Sequence, residues 1–119
     1  MVKLSEKHNQ AGCTQAKLAI QDTLDIVGGK WKLVLITILI SGKRRFKELT
    51  REAGISPRIL SKELYEMQMN GLVTRTVKDT RPVTVEYELT PYATTLRNVL
   101  EPMEAWGRNH RKKIMVKES

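Results

Sequence analysis

Apolar residues recur at helical spacing in the middle of the chain. Phe46, Leu49 and Ala53 are separated by three and four residues, which places them on one stripe of a helix. Gly54 follows directly, and glycine readily adopts the left-handed conformation that ends many helices. The pattern therefore predicts a short helix over residues 46–53 that ends in a glycine turn.

A second helix is predicted directly after this turn. Ser56 is suited to be its N-cap, and Pro57 is suited to the first helical position because its missing N–H costs nothing there. We expect the helix to run to Asn70 and to stop at Gly71.

This second helix has two different faces. One face is apolar and predicts a contact with the core through Leu60, Leu64 and Met67. The opposite face is polar and basic, and its size suits a DNA major groove, which is wide enough for one α-helix. The residues on that face are Arg58, Ser61, Lys62, Tyr65 and Met69.

After Gly71 the period of the pattern changes from 3.6 to 2, which predicts two strands. One face of the first strand holds Val73, Arg75 and Val77, and one face of the second holds Val83, Val85, Tyr87 and Leu89. Residues 79–82 have turn chemistry, so the strands should pair as a hairpin. Lys78 and Arg81 put positive charge at its tip, where they would either grip a DNA backbone or be ordinary solvated charges.

Two more helices are predicted upstream. Thr14 is suited to cap a helix whose apolar stripe is Ala16, Ile20, Leu24 and Val27 and which Gly28 and Gly29 end. Residues 1–12 are expected to be a flexible N-terminus. The segment 30–41 is ambiguous, because its β-branched residues favour a buried strand whereas its length and flanking glycines favour a buried helix.

Downstream, Thr90 and Pro91 repeat the combination of a cap and a first-position proline. The stripe of the following helix is Tyr92, Leu96, Val99, Leu100, Met103 and Trp106. A second copy of the chain is expected to cover this apolar surface, with help from the first helix; the alternative is that the helix packs back on its own domain. Residues 108–119 are expected to be a basic, frayed tail.

Composition points to one soluble domain. The chain has 119 residues, of which 40% are hydrophobic and 29% charged, and its longest apolar stretch, 33–40, is too short to cross a bilayer. No signal peptide is visible, so we expect a cytoplasmic protein without a membrane partner. The single cysteine, Cys13, excludes an intrachain disulfide and a cysteine-based zinc site.

The net charge of +8 favours a polyanionic partner, although charge alone does not choose between DNA, RNA and anionic lipid. Its distribution is more informative. Residues 43–62 contain seven basic and two acidic side chains, so the two-helix unit itself carries +5.

Two other classes of function fit less well. An enzyme is disfavoured because His8 and His110 lie in the expected flexible ends and no phosphate loop, acid pair or nucleophile grouping is present. An RNA-binding or protein-interaction module remains an alternative, but readers of RNA sequence usually present several stacking aromatics. Tyr65 is the one aromatic residue here on an outward face.

Five ordered motifs resemble the HxlR-type winged-helix transcriptional regulators of bacteria and archaea, and Trp106-Gly107 is similar to the closing Trp-Gly of that family. The motifs are Asp25-Ile-Val-Gly-Gly-Lys-Trp-Lys-Leu33, Gly42-Lys-Arg-Arg-Phe-Lys-Glu-Leu49, Gly54-Ile-Ser-Pro-Arg-Ile-Leu-Ser61, Asn70-Gly-Leu-Val-Thr-Arg75 and Val85-Glu-Tyr-Glu-Leu-Thr90. The resemblance covers residues 18 to 107 and favours a helix for segment 30–41. It implies a homodimeric DNA-binding repressor or activator that reads duplex operator DNA through residues 56–70.

The expected fold is therefore α+β and mainly helical, a winged helix-turn-helix over residues 13–107 with N- and C-terminal dimerisation helices. No cofactor or metal is expected. The candidate DNA-binding residues are Lys43, Arg44, Arg45, Ser56, Arg58, Ser61, Lys62, Tyr65, Lys78 and Arg81. The candidate dimer residues are Ile20, Leu24, Leu96, Val99, Leu100, Met103 and Trp106.

Many members of this family carry a cysteine at the start of the first helix, and some use it to sense oxidants or electrophiles. Alignment on Gly-Gly-Lys-Trp puts Leu18 at that position, and Cys13 lies five residues earlier. A thiolate near a helix N-terminus and Lys17 would be somewhat favoured, so Cys13 is a candidate redox residue. The alternative is an inert cysteine in a flexible end, and the effector is not identified.

Overall fold

A computed structural model describes the backbone of residues 10–118 and the side chains of residues 11–116. It is mainly helical with one small antiparallel sheet, as the sequence predicts. The elements in chain order are α1 Gln10–Val27, α2 Lys32–Ile40, β1 Arg44–Arg45, α3 Phe46–Ala53, α4 Pro57–Met69, β2 Val73–Lys78, β3 Thr84–Leu89, α5 Pro91–Thr94 and α6 Arg97–Glu118.

The helix-turn-helix pair α3 and α4 follows its local signals closely. Gly54 ends α3 with a φ of 69°, in the left-handed region. The Ser56 hydroxyl accepts a hydrogen bond from the Ile59 N–H at 3.2 Å, a cap that contributes roughly 1 kcal/mol. At the other end of α4, Gly71 has a φ of 72°, and the Leu72 N–H bonds to the Met67 carbonyl at 2.8 Å. These two hydrogen-bonded ends fix the length of α4.

The predicted hairpin is confirmed, and the sheet contains one more strand. Strands β2 and β3 pair antiparallel from Val73 opposite Leu89 to Lys78 opposite Thr84. The two-residue strand β1 pairs with β3 on its other edge, which gives the order β1-β3-β2. The sequence did not predict β1, because two residues carry no alternation and only the neighbouring strand defines them.

The core lies where α2, α3 and α4 meet at the base of the hairpin. Segment 30–41 is a helix, as the resemblance favours, and tertiary packing outweighs the strand preference of its β-branched residues. The largest fully buried side chains are Leu35, Ile36, Leu49, Leu60, Leu64, Met67 and Leu72. The predicted core face of α4 is therefore confirmed.

The N-terminal helix starts earlier than predicted. It begins at Gln10, so Thr14 is inside α1 and does not cap it, and Cys13 is helical and does not precede the helix. The predicted flexible segment 1–12 is wrong for residues 10–12, and residues 1–9 lie outside the described residues.

The joint between α1 and α2 is built on two glycines. Gly29 has a φ of 95°, in the region that favours glycine, and a Cβ on Gly28 would lie 2.2 Å from the Leu24 carbonyl oxygen. A side chain at either position would therefore strain the joint or force it to move.

The C-terminal region also differs from the prediction. Thr90 does cap a helix, accepting a hydrogen bond from the Ala93 N–H at 3.1 Å, but that helix, α5, ends at Thr94. A turn at Thr95 and Leu96 separates it from α6. Helix α6 then continues through residues 108–118, so the expected frayed tail is helical over that range.

Helices α1 and α6 make the molecule elongated. Its radius of gyration is 17.6 Å and its extents are 59 × 43 × 23 Å. A compact chain of this length would have a radius of gyration of about 13–14 Å. Most residues of both helices are exposed, so these helices project from the core without being covered by the rest of the chain.

Candidate nucleic-acid interface

The outward face of α4 is open to solvent. All five residues predicted for this face are exposed, and Tyr65 and Met69 are 64% and 69% exposed although both are large and partly or wholly apolar. Ser56, at the N-cap, is also exposed. The burial of Leu60, Leu64 and Met67 on the opposite side fixes the rotation of the helix, so this face cannot turn inward without emptying the core.

Two residues that the sequence analysis did not select lie beside this face. A hollow of about 180 Å³ is lined by Ser61, Tyr65 and Gln68 from α4 and by Arg75 from β2. Arg75 stands opposite Tyr87 in the hairpin register and lies two residues after Val73, so it is on the same face of β2 as Val73. The period-2 pattern already put Arg75 on the face of Val73, and that signal could have identified it.

A charge cluster joins α2 to the edge of α4. The Lys32 ammonium donates hydrogen bonds to Glu63 at 2.8 Å and to Glu66 at 3.0 Å. The Lys62 ammonium lies 3.5 Å from the other oxygen of Glu66 and 3.9 Å from Glu63. Lys32 and Glu63 are both buried, whereas the Lys62 side chain is 71% exposed.

The environment of this cluster favours its charged forms. Burial on its own lowers the pKa of Lys32, but the hydrogen bonds to Glu63 and Glu66 outweigh it and leave the pKa above its ordinary value. The hydrogen bond from Lys32 is the main reason that the pKa of Glu66 is below its ordinary value. Both shifts favour the charged forms of Lys32 and Glu66.

A second cluster lies on the wing, around Glu86 of β3. Lys43 and Lys78, which are 35 residues apart in the sequence, approach the same carboxylate oxygen of Glu86 at 3.5 Å and 3.3 Å. Burial raises the pKa of Glu86, but the hydrogen bond from Lys78 and the charge of Lys43 outweigh this and lower it. Within residues 11–116, Arg58 and Arg81 have no carboxylate at ion-pair distance, so their guanidinium groups are available to an outside anion.

Arg44 differs from the other candidate DNA-binding residues. Its Nε donates to Glu52 at 2.9 Å, one Nη donates to the Gly42 carbonyl at 2.7 Å, and the other donates to the Ser41 hydroxyl at 2.8 Å. The guanidinium therefore ties the end of α2 to α3. Lys43 and Arg45 are both exposed, and of these Lys43 has the ion pair with Glu86.

The candidate dimer residues fall into two groups. Leu96 and Leu100 are half-buried and pack against the core of their own domain. The other five are at least 38% exposed, and they are Ile20, Leu24, Val99, Met103 and Trp106. A cleft of about 510 Å³ lies between α2 and α6, with Leu33, Val34 and Met103 among its apolar lining residues.

The described residues also bear on thiol chemistry, metal binding and membrane insertion. Cys13 is a free, exposed thiol on α1. Between residues 10 and 118, no group of three or more metal-ligating side chains is found. Over the same range, no helix has the length and apolar character needed to cross a membrane.

Comparisons with known proteins agree on one kind of protein. A family model described as HxlR-like helix-turn-helix matches residues 26–115. The HTH-type transcriptional regulator YtcD of Bacillus subtilis is 38% identical over 94 residues, which is 78% of this chain and 75% of YtcD. The regulator YybR of the same organism is also 38% identical, over 113 residues, which is 91% of this chain and 86% of YybR. Among solved structures, YtcD superposes with a TM-score of 0.74 at 38% identity, covering 78% of this chain and 96% of that one. The redox regulator HypR in its reduced form superposes with a TM-score of 0.75 at 38% identity. The match covers 81% of this chain and 96% of the HypR chain.

Proposed function

Because this chain belongs to the HxlR-like helix-turn-helix family and is a transcriptional regulator, we propose that it works as a cytoplasmic homodimer that binds duplex operator DNA and represses by occupying it. The observation that carries the proposal is the outward face of α4. That face is exposed, basic and held at a fixed rotation by the buried leucines behind it.

In the proposed complex α4 lies in the major groove. Arg58 is near the N-terminal end of α4, the end that contacts base edges in helix-turn-helix proteins, and its guanidinium has the geometry for a bidentate contact to guanine. Ser61 and Tyr65 follow on the same face, with Arg75 beside them. Ser56 and Lys62 are suited to phosphates that flank the groove.

The wing and the segment before α3 are proposed to hold the backbone. Lys43, before β1, and Lys78, on the hairpin, already lie together on Glu86, so two ammonium groups are presented at one place. Arg45 and Arg81 add exposed guanidinium groups. Phosphate contacts of this kind fix the register on DNA without reading sequence. Arg44 is proposed to have a structural role, because its guanidinium nitrogens donate hydrogen bonds to groups of the protein itself.

The homodimer is proposed from the uncovered apolar residues of α1 and α6. Two copies related by a two-fold axis would cover them and would place two α4 helices on successive half-sites. Cys13 is the one cysteine in the chain, so any thiol-based control of this regulator has to act through its exposed sulfur on α1.

The proposal is tested by selecting bound sequences from random duplex DNA and then measuring Arg58→Ala on the selected site. We expect a loss of ~1–3 kcal/mol on that site and a relaxed base preference at one position, with little change in non-specific binding. Arg108→Ala, which removes an exposed arginine from α6, is the matched control and should leave the preference unchanged.

An unchanged base preference in Arg58→Ala would contradict the role of α4 as reader. Stronger binding to single-stranded RNA of the same sequence than to duplex DNA would instead favour the alternative of an RNA-binding module.

A further inference from the structure

The charge cluster between α2 and α4 includes two carboxylates of α4, and negative charge is unfavourable on a helix that faces DNA. Glu63 directly follows Lys62 on α4 and Glu66 lies one turn further along, and a carboxylate near a phosphate backbone is repelled. Without another cation these two carboxylates would outnumber the single ammonium of Lys62.

Lys32 supplies that cation from a different helix. Its contacts at 2.8 Å and 3.0 Å are shorter than the Lys62 contacts at 3.5 Å and 3.9 Å, and its side chain is 9% exposed against 71% for Lys62. The buried lysine therefore holds the carboxylates firmly, and the exposed lysine is held loosely. A loosely held surface ion pair exchanges readily for another anion.

We propose that Lys32 is a positioning residue that neutralises Glu63 and Glu66 from behind and so leaves Lys62 free to bind a DNA phosphate. The inference rests on the proposed function, because it requires α4 to face DNA. It gives Lys32 a role in affinity that acts through Lys62 and that differs from simply joining α2 to α4.

The test compares operator binding over a range of salt concentrations for Lys32→Met, Lys62→Ala and the double variant Lys32→Met/Glu66→Gln. In Lys32→Met, Lys62 is retained by two carboxylates, so we expect roughly a tenfold loss of affinity and a salt slope shallower by about one unit, as for Lys62→Ala. The double variant restores the charge balance and should recover most of the affinity and of the slope.

The double variant separates charge from structure. Lys32→Met/Glu66→Gln still lacks the connection between α2 and α4, so a purely structural role would leave its affinity as low as that of Lys32→Met. That result would overturn the proposal. Circular dichroism and thermal unfolding of each variant establish that it is folded before binding is measured.

If Lys32→Met does not fold, Glu66→Gln alone provides the test. This variant keeps the pair of Lys32 with Glu63 and removes the remaining weak contact of Lys62 with Glu66, so we expect operator affinity to rise severalfold. Glu104→Gln is the matched control, because it removes the same charge from another helical i,i+4 pair, with Arg108 on α6. An equal response of the two variants would contradict the proposal.

Failure of this inference is distinguishable from failure of the proposed function. If Lys62→Ala binds normally while Arg58→Ala relaxes base preference, α4 reads DNA but the role given to Lys32 is wrong. If neither substitution alters binding, the assignment of α4 as reader is wrong as well.

Discussion

Glu66 and Glu86 each lie between two basic side chains, and this makes the stability of the fold depend on pH. The pKa of Glu66 is lowered mainly by the hydrogen bond from Lys32. For Glu86 burial opposes the shift, but Lys78 and Lys43 lower the pKa below its ordinary value. A carboxyl whose pKa is lower in the folded than in the unfolded state stabilises the fold above the unfolded pKa. That contribution is lost as the pH falls through the folded pKa.

We therefore expect the wild type to be more resistant to urea than Glu66→Gln at pH 7, and this difference should shrink as the pH falls below the ordinary glutamate pKa of 4.5. Urea midpoints at pH 7 and pH 3 measure it. Glu101→Gln, an exposed carboxylate outside the ion pairs of residues 11–116, serves as control. If the difference in urea midpoint between the wild type and Glu66→Gln grows toward acid pH, the expected direction of the pH dependence is wrong.

Individual outward residues of α4 were predictable from sequence, whereas the charge clusters were not. Helical spacing alone separates Arg58 and Tyr65 from Leu60 and Leu64. Lys32, in contrast, precedes a run of apolar residues, and its partners are 31 and 34 residues away. Such a pairing exists only after the helices have packed, so neither periodicity nor composition reveals it.

The wing divides its positive charges between two positions. Lys43 and Lys78, the latter at the turn end of β2, are paired with Glu86, whereas Arg81 lies in the turn itself. The tip arginine should bind phosphate and carry no sequence information.

Arg81→Ala is therefore expected to weaken binding about equally on selected and unrelated duplexes, and to make the salt slope shallower by roughly one unit. Titrations on two duplexes at several salt concentrations measure both effects, with Arg111→Ala on α6 as the control. A loss confined to the selected sequence would show that the wing reads bases.

Elements with strong end signals were predicted best. Glycine turns, a Ser-Pro start and a change of period give α3, α4 and the hairpin almost residue by residue. β1 was missed because its two residues form a strand only by pairing with Tyr87 and Glu86. The last part of α6 was interpreted as frayed because its many like charges are typical of tails, yet it is helical.

The elongated shape leaves apolar residues of α1 and α6 for a second copy to cover. Since Leu96 and Leu100 pack on their own core, Met103 is the better position for separating a dimer without unfolding its subunits. We expect Met103→Glu to be a folded monomer with much weaker operator binding, because two half-sites about one helical turn (~34 Å) apart need a dimer to span them.

Sedimentation of the wild type and of Met103→Glu checks this expectation. Met115→Glu is the control: it puts the same charge on the same helix about 120° around the axis, away from the stripe of Met103 and Trp106. A monomeric wild type at micromolar concentration would remove the basis for the dimer.

The glycine joint before α2 sets the direction in which α1 leaves the core. Helix α1 has 18 residues, so it is about 27 Å long, and a rotation of about 10° at Gly28 and Gly29 would carry its far end through about 5 Å. In a dimer built on α1, that angle would set how far apart the two reading helices stand. In the proposed dimer, Gly28 and Gly29 would therefore govern the distance between the two half-sites, and α4 would govern which bases are preferred. A substitution at Gly28 or Gly29 would therefore change the preferred spacing of the half-sites and leave the preferred base sequence unchanged.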